Sequence, residues 1–495
     1  MGQAVDTHDF SPEAFARFSD KLEQNLNVLE QLLDTPSFGV GETSIGAELE
    51  LYLVDHCGHP QPFNKHFQLQ ANDPQLTLEL NRFNLEYNLS PVPAQGTPFT
   101  AIHSEMNLKL ATLRRIAAAN DTRAVAIGIL PTLRETDFGL ANMTDEPRYH
   151  ALSKRLDQLR DEPFHINIDG PEPLKLNTDF LTLEGANTSF QLHLRVNPNE
   201  YADIYNAVQL VTPIALALAA NSPTLLGHKL WHETRITLFK QSIDYRDRDK
   251  GDWQPPARVG FGMGWARKGA LELFEAGARQ FPVMMPVDDD EDPHALLAQG
   301  KTPQLKALRL HQGTIWYWNR PVYDPVCDGH LRIELRSLPA GPTPLDMMAN
   351  AAFALGMAFG LQEEINHLVT ALPFEHCRYN FYRAAQHGMA AKLVWPDANH
   401  GQLHECDVTE LAKQMLPIAR RGLSCLGISE QEAMTYLAPI EARLANHQNG
   451  ALWQLAMLDI LEQNMLRHEA LHELVWRYYE QQLTDLPVSD WSLAL

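Results

Sequence analysis

Nine polar side chains recur at every second position of four short segments. They are Glu48 and Glu50 in 46–52, Glu86 in 84–92, Gln191, His193 and Arg195 in 188–196, and Arg332, Glu334 and Arg336 in 329–339. Such alternation predicts strands whose successive side chains point to opposite faces. The opposite faces are apolar: Ala47, Leu49 and Leu51; Phe190, Leu192, Leu194 and Val196; Leu331, Ile333 and Leu335. A sheet with one solvated face alternates in the same way. A merely solvated face would mix in lysine and threonine, and these nine positions hold neither. Carboxylates are hard oxygen ligands that suit magnesium. Planar guanidiniums suit phosphate and carboxylate. Together they predict a metal–triphosphate site with an anionic substrate nearby.

The elements that would hold this face read as α+β. Ser11-Pro12-Glu13 is a helix cap, and Phe15, Phe18, Leu22, Leu26 and Leu29 extend an amphipathic helix over 11–34. Strands are expected near 76–80 and over 124–130. Helices are expected over 98–119 and 201–220, the second ended by Asn221-Ser222-Pro223. A further helix is expected to carry Trp231, Arg235 and Phe239. The last hundred residues read as helical with polar breaks. The result is a mainly antiparallel sheet backed by helices, with a helical C-terminal region.

The 495 residues suit two or three domains, or one large one with additions. A formal charge of −22 argues against nucleic acid or an anionic membrane as the main partner. Five cysteines, Cys57, Cys327, Cys377, Cys406 and Cys425, form no C-x-x-C pair and no zinc spacing, which fits a reducing cytosol. The first ten residues show no basic and apolar leader pattern. The run 347–361 is too short for a bilayer span and reads as a buried helix. The acidic run Asp288-Asp289-Asp290-Glu291-Asp292 reads as a mobile, solvated loop.

Four of these stretches occur in a telling order: 46–52, Leu85-Glu86-Tyr87-Asn88-Leu89-Ser90-Pro91-Val92, the Thr188/Gln191/His193 strand, and Arg332-Ile333-Glu334-Leu335-Arg336-Ser337-Leu338. Together they resemble glutamate–cysteine ligases and related carboxylate–amine ligases. Asn380-Phe381-Tyr382-Arg383-Ala384-Ala385-Gln386-His387-Gly388 resembles a later motif of the bacterial second class of that family. The resemblance covers roughly residues 40 to 395, and its strength lies in the order of short motifs. It implies a glutamine-synthetase-like fold, a curved antiparallel sheet forming a funnel. It also implies ATP- and Mg2+-dependent joining of the γ-carboxylate of glutamate to an amine, cysteine by default, through an acyl phosphate. By resemblance, Glu48, Glu50, Glu86 and Glu334 match metal-binding glutamates, and Glu79 falls where relatives place an acidic ligand. His193 matches a metal- or nucleotide-proximal histidine, with Gln191 and Arg332 on the nucleotide side. Arg235 and Arg336 match arginines near the phosphates or the substrate carboxylate. The implied partners are small molecules, in the cytoplasm, with neither nucleic acid nor membrane. The implied division is an N-terminal helical segment (1–34), a ligase domain (35–395) and a helical C-terminal region (396–495).

Other motifs compete. Gly300-Lys301-Thr302 resembles the end of a phosphate-binding loop, but Ala295 stands where its first glycine belongs. His468-Glu469-Ala470-Leu471-His472 is a literal H-E-x-x-H, the pattern of zinc peptidases. The remaining alternatives are another amine acceptor on the same ligase, and a non-catalytic relative that binds nucleotide or amino acid without turnover.

Overall fold

The computed structural model describes residues 10–246, 254–287, 289–397 and 401–494. The N-terminal stretch read for a leader, apart from Phe10, and Asp288 of the acidic run lie outside it. Seven strands form one sheet: β1 (Ser44–Val54), β2 (Leu76–Leu78), β3 (Asn84–Pro93), β4 (Arg123–Val125), β5 (Phe190–Val196), β6 (Asn319–Asp324) and β7 (His330–Leu335). Their order is β6-β7-β5-β1-β3-β2, with β4 also on β1, and each pairing is antiparallel. The α+β expectation holds.

The alternation explains the layering. Leu49, Leu51, Leu85, Phe190, Leu192, Leu194, Leu331 and Ile333 are all fully buried. They share one core with the helices Tyr201–Ala219 and Pro344–Leu361. The Tyr205 hydroxyl donates to the Asn319 carbonyl (3.1 Å), fixing the first of these helices to β6. The second crosses Val408–Cys425 at small residues. A Cβ on Gly422 would lie 2.0 Å from the Gly356 carbonyl oxygen, so only glycine lets the two backbones approach this closely. Two apolar spans, Pro198–Ala219 and Pro344–Ala371, are long enough to cross a membrane, but 89% and 83% of their apolar 18-residue windows is buried inside the fold.

Four local expectations change. The strand expected over 124–130 stops at Val125. Beyond it, side chains take the backbone partners: Gln482 bonds both the N–H and the carbonyl of Ala126, and Thr188 takes the carbonyls of Ile127 and Gly128. The helix that carries Arg235 and Phe239 runs only over Arg235–Ser242, so Trp231 lies in the preceding turn. The last hundred residues are not purely helical, because Leu403–Asp407 pairs with Lys392–Pro396. The acidic run is tied down at its described residues. Asp289 meets Lys21 (3.2 Å), Glu291 accepts from the N–H groups of Gln304 and Leu305, and Asp292 caps Pro293–Ala298.

Candidate functional site

Register brings the polar faces together. Glu50 stands opposite Glu86, Glu48 opposite Gln191, and His193 opposite Glu334, which is itself opposite Arg320. Five strands therefore meet on one face. Two groups of side chains that could hold a metal ion result, and within each the candidate ligand atoms lie within 4.8 Å of one another. One is Glu50, Glu79 and Glu86. The other is Glu48, His193 and Glu334.

The first group is all oxygen. Glu50 accepts from the Ser189 N–H (2.6 Å) and from Gln191 Nε2 (2.9 Å). Glu86 accepts from the Thr77 hydroxyl (3.0 Å) and Asn88 Nδ2 (3.1 Å). Glu79 lies one residue beyond β2 and accepts from the Leu80 N–H. Burial, and then the charge of Glu79, raises the Glu50 carboxyl to about 8. Burial, with Glu48, Glu79 and Glu50, pushes Glu86 well above the usual carboxylate range. Burial raises Glu79 too, against the pull of Arg148. Crowded like charges out of water are what a hard divalent cation relieves.

The two carboxyls of the second group are held in their ionised form. Burial alone would raise Glu48, but His193, and then Arg336, hold it well below the usual range. Burial likewise opposes the ionisation of Glu334, yet Arg320, Arg336 and His193 hold it at about 2. Arg320 grips Glu334 with two nitrogens, Nη2 at 3.0 Å, and Arg336 Nη1 adds a third contact at 3.1 Å. His193 Nε2 approaches Glu48 to 3.0 Å and Glu334 to 3.8 Å. Neither approach has hydrogen-bond geometry, so both ring nitrogens, though buried, lack a hydrogen-bond partner among the described residues. An imidazole nitrogen left this way between two carboxylates fits a metal ligand.

Arg336 bridges the groups. Its Nη1 donates to Gln191 and to Glu334, and Gln191 in turn donates to Glu50. Burial would lower its pKa, but Glu334, Glu50, Glu48 and Glu86 raise it instead. Arg195 and Arg332 stand opposite each other farther along the same face. Arg332 reaches Asp324 (3.1 Å), and the Nε of each lacks a partner among the described residues. Arg235 is placed differently. It is 1% exposed, and it donates to Glu233 (2.6 Å) and to the carbonyl of Ser337 (2.6 Å), so it holds the chain just after Arg336.

Three groups were missed in the sequence. Arg320 sits in Asn319-Arg320-Pro321-Val322, where the proline hides a strand, although its offset from Glu334 fits a hairpin. Glu184 lies in the short helical turn Leu181–Ala186, which carries no periodicity, and burial with Glu79 and Glu50 raises it to about 8. Arg148, at the start of Pro147–Leu159, draws Glu79 and Glu184 down from across the site.

The sequence matches the family model for glutamate-cysteine ligase family 2 over residues 44–477. The chain belongs to this family. It is thus a glutamate–cysteine ligase-like enzyme, as the ordered motifs implied. Among solved structures it is similar to the glutamate–cysteine ligase of Francisella tularensis in complex with AMP. The TM-score is 0.53 at 12% identity, over 92% of this chain and 91% of that one. It is also similar to a bifunctional glutathione synthetase from Pasteurella multocida, with TM-score 0.47 and 12% identity, over 94% of this chain and 55% of that one. The chain thus spans about half the length of that second protein. A search of curated proteins finds no match.

The competing H-E-x-x-H stretch is placed away from the sheet, in the C-terminal helix. Glu469 is exposed, and it accepts from the Leu466 N–H (3.0 Å) at the start of the helix Arg467–Leu483. A glutamate used as a helix cap is not poised as a general base. His468 is exposed as well.

The raised carboxyls give a pH signature. Glu50 holds its proton in the folded chain up to about 8, whereas the unfolded value is 4.5. The stability this contributes is complete below the unfolded value and disappears as pH rises through the folded one. Magnesium would replace the proton. The magnesium-induced rise in melting temperature is therefore expected to grow between about pH 5 and 8. Melting curves with magnesium and with EDTA across that range measure it, and an increment independent of pH would contradict the assignment.

Proposed function

We propose that this enzyme joins the γ-carboxylate of glutamate to an amine, cysteine in the first instance, with ATP and magnesium as co-substrate and cofactor. The observation that carries the reading is the pair of buried ligand groups, Glu50/Glu79/Glu86 and Glu48/His193/Glu334, bridged by Arg336. A carboxylate is a poor electrophile until it is phosphorylated, and a bound magnesium ion neutralises and bridges phosphate oxygens. The three carboxyls of the first group and the Glu48/His193/Glu334 set would hold such ions. Arg336 would bind an oxygen of the transferring phosphoryl group or of the substrate carboxylate, and Arg195 and Arg332 the remaining phosphates. Attack of the γ-carboxylate on the terminal phosphorus of ATP expels ADP and gives the acyl phosphate; the amine then attacks its carbonyl carbon, losing a proton, and phosphate leaves. The work of the protein is positioning and charge neutralisation, so it needs no nucleophile of its own. Arg235 positions Arg336 through the Ser337 carbonyl. In this reading residues 35–395 carry the ligase groups and 396–495 buttress them, with an N-terminal segment (1–34) whose described helix is Pro12–Leu33. The cytoplasm suits the five unpaired cysteines.

Phosphate release tests the proposal, using ATP, magnesium, glutamate and a panel of amines. Release that depends on glutamate and is stimulated most by cysteine, with a γ-glutamyl product by mass spectrometry, is expected. A product formed without ATP, or no release with any amine, would reject it. Greater stimulation by another amine would move the acceptor, not the reaction.

A further inference from the structure

The turn that follows β1 has no part in the ligase chemistry, yet it concentrates metal-binding atoms. Asp55, Cys57 and His59 each offer a ligand atom, and these atoms lie within 4.8 Å of one another. The turn is rigid. Asp55 Oδ1 accepts the N–H groups of Cys57 and His59, both at 2.8 Å, and the Asp55 N–H donates to the His59 carbonyl (2.8 Å). Asp55 Oδ2 remains, 3.6 Å from His59 Nδ1.

A second element lies against this turn. The turn is pressed onto the helix Arg467–Leu483: Gly58 adopts φ +79°, and a Cβ there would meet Val475 Cγ1 at 3.1 Å. One helical turn before Val475 stands His472. Its ring lies edge-on against His59, 4.4 Å between centroids at 86°. Burial, then the neighbouring His59 and His468, keep the His472 imidazole below its ordinary value. Cys57 forms no disulfide. The H-E-x-x-H stretch thus supplies one histidine to this cluster, while its glutamate caps the helix.

We propose that Cys57, His59 and His472, with Asp55 as the fourth ligand, form a binding site for one zinc-class transition-metal ion. One sulfur, two imidazoles and a carboxylate are a borderline-soft donor set suited to tetrahedral zinc. A tetrahedral ion with ligand bonds of about 2.0–2.3 Å holds its donors about 3.3–3.8 Å apart, so the Asp55, Cys57 and His59 atoms need only a small contraction, and His472, whose ring abuts His59, would move in to join them. On binding, the Cys57 thiol releases its proton to solvent and the histidines bind as neutral rings. Asp55 lies five residues beyond Glu50, about 17 Å along an extended strand, so this ion is separate from those of the sheet. It would clamp the end of β1 to the C-terminal helix.

Cobalt(II) is the probe, titrated into the full chain with magnesium in excess. The carboxylate and imidazole groups on the sheet contain no sulfur, so a sulfur-to-cobalt charge-transfer band reports only on a thiolate site. The expected result is a band that saturates at one equivalent and is competed away by zinc. It should be absent in Cys57→Ser and at least about tenfold weaker in apparent affinity in His472→Ala, since each lost ligand removes a bond to the metal. It should be unchanged in Cys327→Ser and Cys425→Ser. Circular dichroism checks that each variant is folded. No band in the parent chain, or a full band in folded Cys57→Ser, overturns the site. An undiminished affinity in His472→Ala overturns the clamp.

Discussion

Glu50→Gln is expected to lower turnover by about 10²–10³-fold while the chain stays folded, the usual scale for losing a well-placed electrostatic group. The amide keeps the volume but removes a charge that would bind the metal. It also inverts a hydrogen bond. Both Glu50 oxygens accept, one from the Ser189 N–H and one from Gln191 Nε2. An amide must turn its NH2 toward one of these donors. If Gln191 flips to accommodate it, Gln191 presents its own NH2 to Arg336 Nη1, which its oxygen now accepts. The defect therefore propagates to the bridging arginine. Stability without metal should move little below about pH 8, because the Glu50 carboxyl already holds its proton there. Turnover over a magnesium titration and melting temperature separate the effects. Near-normal turnover at limiting magnesium would remove Glu50 from the metal site.

Alternation carried most of what could be read in the chain. Period-two patterns located β1, β3, β5 and β7, because each strand has one buried apolar face and side chains of one kind on the other. Pairing partners were not legible, since register depends on contacts between distant segments. The Glu50–Glu86 and His193–Glu334 pairs thus emerge only in the fold. The misread stretch 124–130 is as apolar as a strand, but its hydrogen bonds go to Gln482 and Thr188, and no local pattern announces that. Glu79 was reached through family resemblance and not through periodicity. Arg320 was lost behind Pro321, and Glu184 behind the absence of any repeat. Arg235 shows the converse: a buried arginine in the expected place, with two of its nitrogens committed to Glu233 and the main chain.

Arg336→Lys and His472→Ala should part company. The lysine variant is expected to lose at least about tenfold in activity, since one charge-assisted hydrogen bond contributes roughly 1.5–3 kcal/mol. The change keeps the charge, so a large loss reports on geometry. Arg336 has the Gln191 amide oxygen and Glu334 as partners for one nitrogen, and its remaining donors are what a phosphoryl or carboxylate oxygen would meet. A lysine ammonium is a point charge that cannot serve both partners and a planar substrate group in the same fork. The neighbouring Arg320 keeps Glu334 ionised in either case, which confines the defect to what Arg336 itself touches. His472 stands in the C-terminal helix against His59, beyond the end of β1. Its removal should leave turnover nearly intact at saturating ATP, glutamate and amine, even though it weakens the metal clamp proposed for that turn. Both variants are compared under those conditions, with circular dichroism as the folding control. A folded, inactive His472→Ala beside a fully active Arg336→Lys would move the chemistry off the sheet and onto the helix.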